Sequence, residues 1–278
     1  LFKRIIRIII GIVLTLALLS ISRNMSTRNP QDIVVTHGKL EIRHTTVTEH
    51  VRGGKPVVEL RLNRYDDFKC RIILRSSESS VLRKSLMQYD GFGRFNYKIP
   101  ILDRGGRYEY AFEVTTAGGE KVRVPSDPEQ FFLIKYKGEV SRVVLVLHII
   151  FMFGSFYFMI QSLVSAIGIL ADRTPKIEAV RMTRWVLICS FIGGWPLGII
   201  LNYQAFGVLY EGFPFGYDVT DNKTQLMFLF WLFIALLVRG SFFASDESRD
   251  RLGPRGFAIA VIASFVVSLA LFLIPHSI

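Results

Sequence analysis

Residues 143–170 read VVLVLHIIFMFGSFYFMIQSLVSAIGIL, an apolar run long enough to cross a hydrocarbon core of about 30 Å with some tilt, at about 1.5 Å per residue. Working outward, three further runs follow it: Trp185 to Leu201, Leu226 to Val238 and Phe257 to Ile274. The Leu226 run is short and gains length from Thr224 and Gln225 at one end and Ser241 to Phe243 at the other, with Arg239 snorkelling. A fifth run, residues 5–21 (IIRIIIGIVLTLALLSI), follows Lys3 and Arg4 and resembles a signal peptide or a signal anchor. No A-x-A cleavage site follows it, so a retained anchor is the favoured reading and cleavage the alternative.

Apolar residues make up 50% of the 278 and the mean hydropathy is +0.36, but they are segregated: residues 32–136 have an ordinary soluble composition. The net charge of +11 would suggest nucleic acid in a soluble chain. Here the basic residues flank apolar runs or scatter through a strand-rich region, so a lipid bilayer is the expected partner and nucleic acid is not.

Short loops set the orientation, because long translocated domains escape the charge rule. The N-terminus carries Lys3, Arg4 and Arg7. Arg173, Lys176, Arg181 and Arg184 lie in 171–184, and Arg239, Arg249, Arg251 and Arg255 in 239–255. Loop 202–225 sets Glu211, Asp218 and Asp221 against Lys223. Five spans then alternate without conflict, with the N-terminus inside and the strand-rich domain, the acidic loop and the C-terminus outside. Cys70 and Cys189 fall in separate compartments and cannot pair, which fits a bacterial inner membrane at least as well as a secretory one.

Period-two alternation is plain in residues 107–115, where Tyr108, Tyr110, Phe112 and Val114 share a face. Ala117-Gly118-Gly119-Glu120 then turns into a partner strand at 121–124. Similar alternation in Val58-Leu60-Leu62, Phe68-Cys70-Ile72-Leu74 and Phe95-Tyr97-Ile99-Ile101, separated by turns at Gly53-Gly54, 65–67, Asp90-Gly91 and 103–106, predicts about seven short strands. The predicted fold is an α-helical integral membrane protein with an inserted extracytoplasmic all-β sandwich. Its parts are an anchor helix and linker (1–31), the sandwich (32–136) and a four-helix transmembrane domain (137–278) with an aromatic, acidic outer loop at 202–225.

The strand Gly106-Arg107-Tyr108-Glu109-Tyr110-Ala111-Phe112-Glu113-Val114 carries a family resemblance: residues 32–136 resemble an immunoglobulin or fibronectin type III domain, and this strand looks like the late one bearing the family's core tyrosine. The region has no tryptophan and a single cysteine, so the Cys…Trp…Cys core is absent. The resemblance implies binding or spacing rather than catalysis.

An ionisable residue inside a span is costly and marks a candidate site. His148, about two turns into the second span, and His276, just beyond the last, both fall at the outer face and are candidate ligands for a b-type haem or contacts for a quinone. A structural role for His148, hydrogen-bonded to a neighbouring helix, is the competing reading. Glu211, Asp218 and Asp221 offer hard oxygen ligands for a metal, although their spacing matches no EF-hand. Against this stands a helix-cap role for Asp221 or Thr220, with the loop aromatics at headgroup level. His37, His44 and His50 are expected at the surface of the β region, with a metal role as the weaker alternative. Asn24-Met25-Ser26 and Asn222-Lys223-Thr224 match the glycosylation sequon.

The sequence contains no P-loop, G-x-S-x-G, H-E-x-x-H or G-x-G-x-x-G, so nucleotide-driven transport and the common hydrolases lack support. The expected role is an accessory or scaffolding subunit that packs against other membrane subunits and docks an extracytoplasmic protein partner, in an energy-transducing (respiratory or photosynthetic) or envelope assembly. Two alternatives remain: an electron-transfer subunit using His148 and His276, and an enzyme acting on lipids or glycans, which would require Glu211, Asp218 and Asp221 to converge with one of those histidines.

Overall fold

The computed structural model describes residues 2–25, 29–51, 53–64, 68–244 and 246–274. The chain divides into two compact units: Leu1–Thr27 with Val140–Tyr203 and Val208–Ser277, which is helical, and Arg28–Glu139 with Gln204–Gly207, which carries the strands.

The β unit contains β1 (Asp32–His37), β2 (Leu40–Thr45), β3 (Glu49–Val51), β4 (Val57–Leu62), β5 (Lys69–Ser76), β6 (Ser79–Leu86), β7 (Gln88–Tyr89), β8 (Arg94–Lys98), β9 (Arg107–Thr115), β10 (Lys121–Val124) and β11 (Phe132–Lys137). These eleven described segments exceed the seven expected because several are only two to four residues long. They form two sheets, β1-β2-β4-β8-β7 and β3-β11-β9-β5-β6, with β10 added against β9.

The alternating stretch at 107–115 lies inside the second sheet. β9 pairs antiparallel with β5 along nearly its whole length, from Ser76↔Tyr108 to Lys69↔Thr115. Its other flank is shared: β11 takes the first half, at Phe132↔Tyr110 and Lys135↔Arg107, and β10 the second, at Val124↔Phe112 and Lys121↔Thr115. Tyr110, Phe112 and Val114 meet Ile42, Val58 and Leu60 of the first sheet in one buried core, so the two sheets form a β-sandwich segment. Full burial of a side chain such as Phe112 or Leu60 contributes about 1.5–3 kcal/mol relative to exposure. The expected 117–120 turn is present: Gly119, at φ +81°, donates its N–H to Thr116 O at 2.9 Å, a left-handed position that suits glycine. Residues 65–67, read as a turn, lie outside the described residues.

The described helices are α1 (Phe2–Asn24), α2 (Arg142–Leu170), α3 (Lys176–Ile192), a π-helical turn (Gly193–Leu197), α4 (Gly198–Phe206), α5 (Val219–Leu237), α6 (Arg239–Phe243), a 3-10 turn (Glu247–Arg249) and α7 (Pro254–Leu273). Helix α7 opens on Pro254, whose missing N–H is unneeded in the first turn. Pro196 explains the π-turn, since its ring denies the regular ladder an N–H and crowds the preceding turn, and widening the helix there lets α3 run on into α4. The described helix Lys176–Phe206 is therefore 31 residues long, well beyond the predicted run from Trp185 to Leu201.

Among the described residues four helices are long and apolar enough to cross a membrane: Ile5–Asn24, Arg142–Leu170, Lys176–Phe206 and Pro254–Leu273. This corrects the expected count of five. Helix α5 forms, but it starts at Val219, and its first two turns (Thr220, Asp221, Asn222, Lys223, Thr224, Gln225) are polar. It packs instead among its neighbours, where Met227, Trp231 and Ile234 join Met159 of α2, Val180 of α3 and Phe257 of α7 in one core. Helix α1 differs again, touching α2 along a narrow stripe through Arg7, Gly11 and Thr15 with most of its surface exposed.

Candidate functional site

His148 lies in the second turn of α2, half-buried, with Nδ1 3.0 Å from the carbonyl oxygen of Gly193 in the π-turn. A carbonyl only accepts, so Nδ1 carries the proton and Nε2 is left with its lone pair. The same carbonyl accepts the Gly198 N–H that closes the π-turn. Cβ-less Gly193 is needed here, because a Cβ would lie 2.8 Å from Met152 Sδ and 3.2 Å from the Met152 nitrogen of α2. Both readings of His148 thus keep a physical basis: it ties two helices together, and it retains one nitrogen able to ligate. His276, its expected partner, lies outside the described residues.

Two carboxylates of the 202–225 loop, Asp218 and Asp221, accept from backbone N–H groups. Asp218 caps α5, its Oδ1 accepting from Thr220 N at 2.8 Å and Asp221 N at 3.1 Å. The cap therefore falls earlier than the Asp221 or Thr220 expected from the shorter predicted helix. Asp221 Oδ2 accepts from Glu211 N at 2.9 Å and from Asn202 Nδ2 at 3.3 Å. Asn222 Oδ1 accepts from Phe213 N at 2.7 Å, which occupies the side chain of the second sequon. Glu211 contributes backbone, with its carbonyl accepting from Asp218 N. Among the described residues no group of three or more His, Cys, Asp or Glu is placed to hold a metal ion. The first sequon ends at Ser26, outside the described residues.

The three β-unit histidines part ways. His37 is exposed beside Glu120 and His50 bonds Gly54 O, but His44 is only 2% exposed, which corrects its expected surface position. Leu40, Ile42 and His44 alternate on the core-facing side of β2, a signal present in the sequence. The His44 ring donates from Nδ1 to Glu59 O at 2.7 Å, Nε2 accepts from the Tyr110 hydroxyl at 2.9 Å, and Val47 N–H donates back to that hydroxyl at 3.3 Å. Every polar atom in this chain is satisfied with a neutral imidazole. Tyr110 is thus the buried core tyrosine of β9, with its hydroxyl committed to β2 and the loop that follows.

Burial holds the His44 imidazole below its ordinary 6.5, partly offset by the bond to Glu59 O. Between the lowered folded value and 6.5 the unfolded chain binds a proton that the folded chain refuses, so the contribution of His44 is complete above 6.5 and declines as pH falls. We expect the melting midpoint of the β unit within the full chain to drop from pH 7.5 to 5.5, at a slope of at most about 1.4 kcal/mol per pH unit from this group. Circular dichroism in the β region should show that slope flattened in His44→Gln.

Two polar clusters in the helical unit escaped the sequence reading. Arg7 of α1, read as a flanking charge, extends into α2 and α3. Its Nε donates to Gln161 Oε1 at 2.7 Å, Nη2 donates to Gln161 O at 2.8 Å and Ser165 Oγ at 2.6 Å, and Nη1 pairs with Glu178. Gln161 Nε2 returns a bond to Arg7 O at 3.2 Å. One turn on, a Cβ at Gly11 would sit 2.3 Å from Gln161 Nε2, so only glycine lets α1 approach this closely. The second cluster is a buried ion pair, Lys176 Nζ to Asp250 Oδ2 at 2.7 Å, with both side chains 2% exposed. Lys176 also donates to Leu252 O at 2.7 Å, and Ser241 bonds Asp250 through its N–H at 2.9 Å and its hydroxyl.

No family model and no curated protein matches the chain. Among solved structures, it is similar to a bromine derivative of BhCBM56, a carbohydrate-binding module, at 14% identity and TM-score 0.28 over 38% of this chain and 99% of that one. It is similar to CopC from Methylosinus trichosporium OB3b at 15% identity and TM-score 0.24, over 38% and 93%. It is also similar to a β-1,2-glucanase from Parabacteroides distasonis at 10% identity and TM-score 0.23, over 85% and 34%. These distant likenesses assign the chain to no family.

Proposed function

We propose that the chain is an accessory or scaffolding subunit of a membrane complex, holding its immunoglobulin-like β-sandwich outside a bacterial inner membrane to dock a protein partner. The observation that carries this reading is the splice itself: the β unit begins after apolar α1 and ends at apolar α2, so both of its ends run into helices fit to span a bilayer. The basic residues of 171–184 support a cytoplasmic position for that segment, one span after the β unit. Exposed Leu145, Ile149 and Ile150 on α2, and Ile188 and Phe191 on α3, give the helical unit apolar faces for lipid and neighbouring subunits. Solubilising the native complex in mild detergent and identifying the chains that copurify tests the role. Stoichiometric membrane and extracytoplasmic partners are expected, and recovery of a stable lone monomer under those conditions would falsify it.

One observation favours a second reading. A histidine whose Nδ1–H is fixed by a carbonyl, as in His148 with Gly193, is oriented like a ligating histidine with its outer partner in place. On this reading the chain is a b-type haem or quinone-contacting electron-transfer subunit. In its haem form an oxidised-minus-reduced spectrum should then show Soret and α bands that vanish in His148→Ala, and a colourless chain would end that form.

A further inference from the structure

We propose that the cleft between α1, α2 and α3 binds the headgroup of an anionic phospholipid. The cleft is about 710 Å³ and is lined by Arg7, Tyr157, Phe158, Gln161, Glu178 and Arg181, with apolar wall from Ile8 and Met182. That volume lies within the range of small-molecule sites, about 300–1,000 Å³.

The floor is electrically closed. Arg7 is neutralised by Glu178, and its Nε and Nη2 donors are spent on Gln161 and Ser165. The net charge of the lining is therefore the one positive charge of Arg181, which is exposed and makes no hydrogen bond or ion pair among the described residues. The Tyr157 hydroxyl likewise has no hydrogen-bond partner among them, so the lining offers a fork of guanidinium donors and one hydroxyl to an anionic oxygen.

Two features favour a lipid over a soluble anion. The walls belong to three of the helices long and apolar enough to span, so one side of the cleft continues into surface suited to acyl chains. Phe158 of the wall stacks on half-exposed Trp185 at 5.7 Å between ring centroids, the kind of amphipathic aromatic that sits at headgroup level. Basic pockets between spanning helices on the cytoplasmic side are suited to anionic headgroups. The inference rests on reading these helices as membrane spans, and not on the scaffold or haem readings.

The test uses the full chain in neutral detergent, with lipid binding counted by native mass spectrometry against phosphatidylglycerol, phosphatidylcholine and inorganic phosphate. One phosphatidylglycerol should be retained in preference to phosphatidylcholine. Its apparent affinity should fall about fivefold in Arg181→Gln, the equivalent of about 1 kcal/mol for one basic side chain near the surface, and remain unchanged in Arg255→Gln. Tyr157→Phe should weaken it in the same direction. Three results would overturn the proposal: no preference for the anionic lipid, equal losses in Arg181→Gln and Arg255→Gln, or displacement by millimolar phosphate as effective as by lipid. Flotation of the same preparation with neutral phosphatidylcholine vesicles separates the two claims. A chain that floats without preferring phosphatidylglycerol keeps its spans and loses the site, whereas a chain that fails to float loses the membrane reading itself.

Discussion

Asp250→Leu will destabilise the helical unit by about 3–5 kcal/mol, because it leaves the Lys176 ammonium buried with no opposite charge. The substitution also strands the Ser241 N–H and hydroxyl, both of which donate to the same carboxylate. Lys176→Met should cost a similar amount by orphaning the carboxylate. The pair itself is a different matter, since two desolvated charges can be worth little more than well-packed apolar side chains. The double variant Lys176→Met/Asp250→Leu is therefore expected to be more stable than the sum of the single losses by at least about 1 kcal/mol. Thermal unfolding of the detergent-solubilised chain, followed by circular dichroism for all four proteins, measures this coupling. Additive losses would mean that the two side chains do not act as a pair.

Trp231→Ala comes next, with an expected cost of about 3–5 kcal/mol. Trp231 is fully buried in α5 at the centre of the helical core, and its Nε1–H donates at 2.9 Å to Ser268 Oγ of α7, which is also fully buried. Truncation opens a cavity between α5, α2 and α7 and removes the donor in the same step. Trp231→Phe separates the two effects: it restores most of the volume and should cost about 1–3 kcal/mol for the unpaired hydroxyl. The same unfolding assay resolves the order alanine, then phenylalanine, then the unaltered chain.

Both sites show where the sequence stops being informative. The alternation of Tyr108, Tyr110, Phe112 and Val114 marked β9 and its core face, because a half-buried strand repeats every two residues whatever it pairs with. The apolar runs marked α1, α2 and α7 for the same reason, as composition alone decides whether a helix can face hydrocarbon. The start of α3 is hidden in the sequence because Lys176, Arg181 and Arg184 fit a short basic loop; Lys176 is instead buried by a carboxylate 74 residues later. Helix α5 was assigned too few residues because its polar first turns face partners such as Tyr210, Asn202 and the end of α7, where Lys223 Nζ donates to Ile274 O at 2.9 Å. His44 was legible in principle, since it continues the Leu40, Ile42 alternation, but its type argued for the surface more loudly than its position argued for the core. Among the candidate site residues, spacing could place His148 on a helix but could not show that Gly193 occupies its Nδ1. Nor could it show that Asp218 is spent on the first amides of α5 and Asp221 on a loop amide.

The bond between Arg7 and Gln161 closes a separation of 154 residues. At about 5–20 residues per second, an emerging chain exposes the Arg7 guanidinium roughly 8–30 seconds before the ribosome has made the residues that receive it. For most of that interval the first helix has no α2 to lie against, and all eleven described strands are synthesised within it. The order of synthesis is thereby written into the chain: every strand of the sandwich precedes the residues that receive Arg7, so the docking of Arg7 onto Gln161, Ser165 and Glu178 follows the making of the sheets.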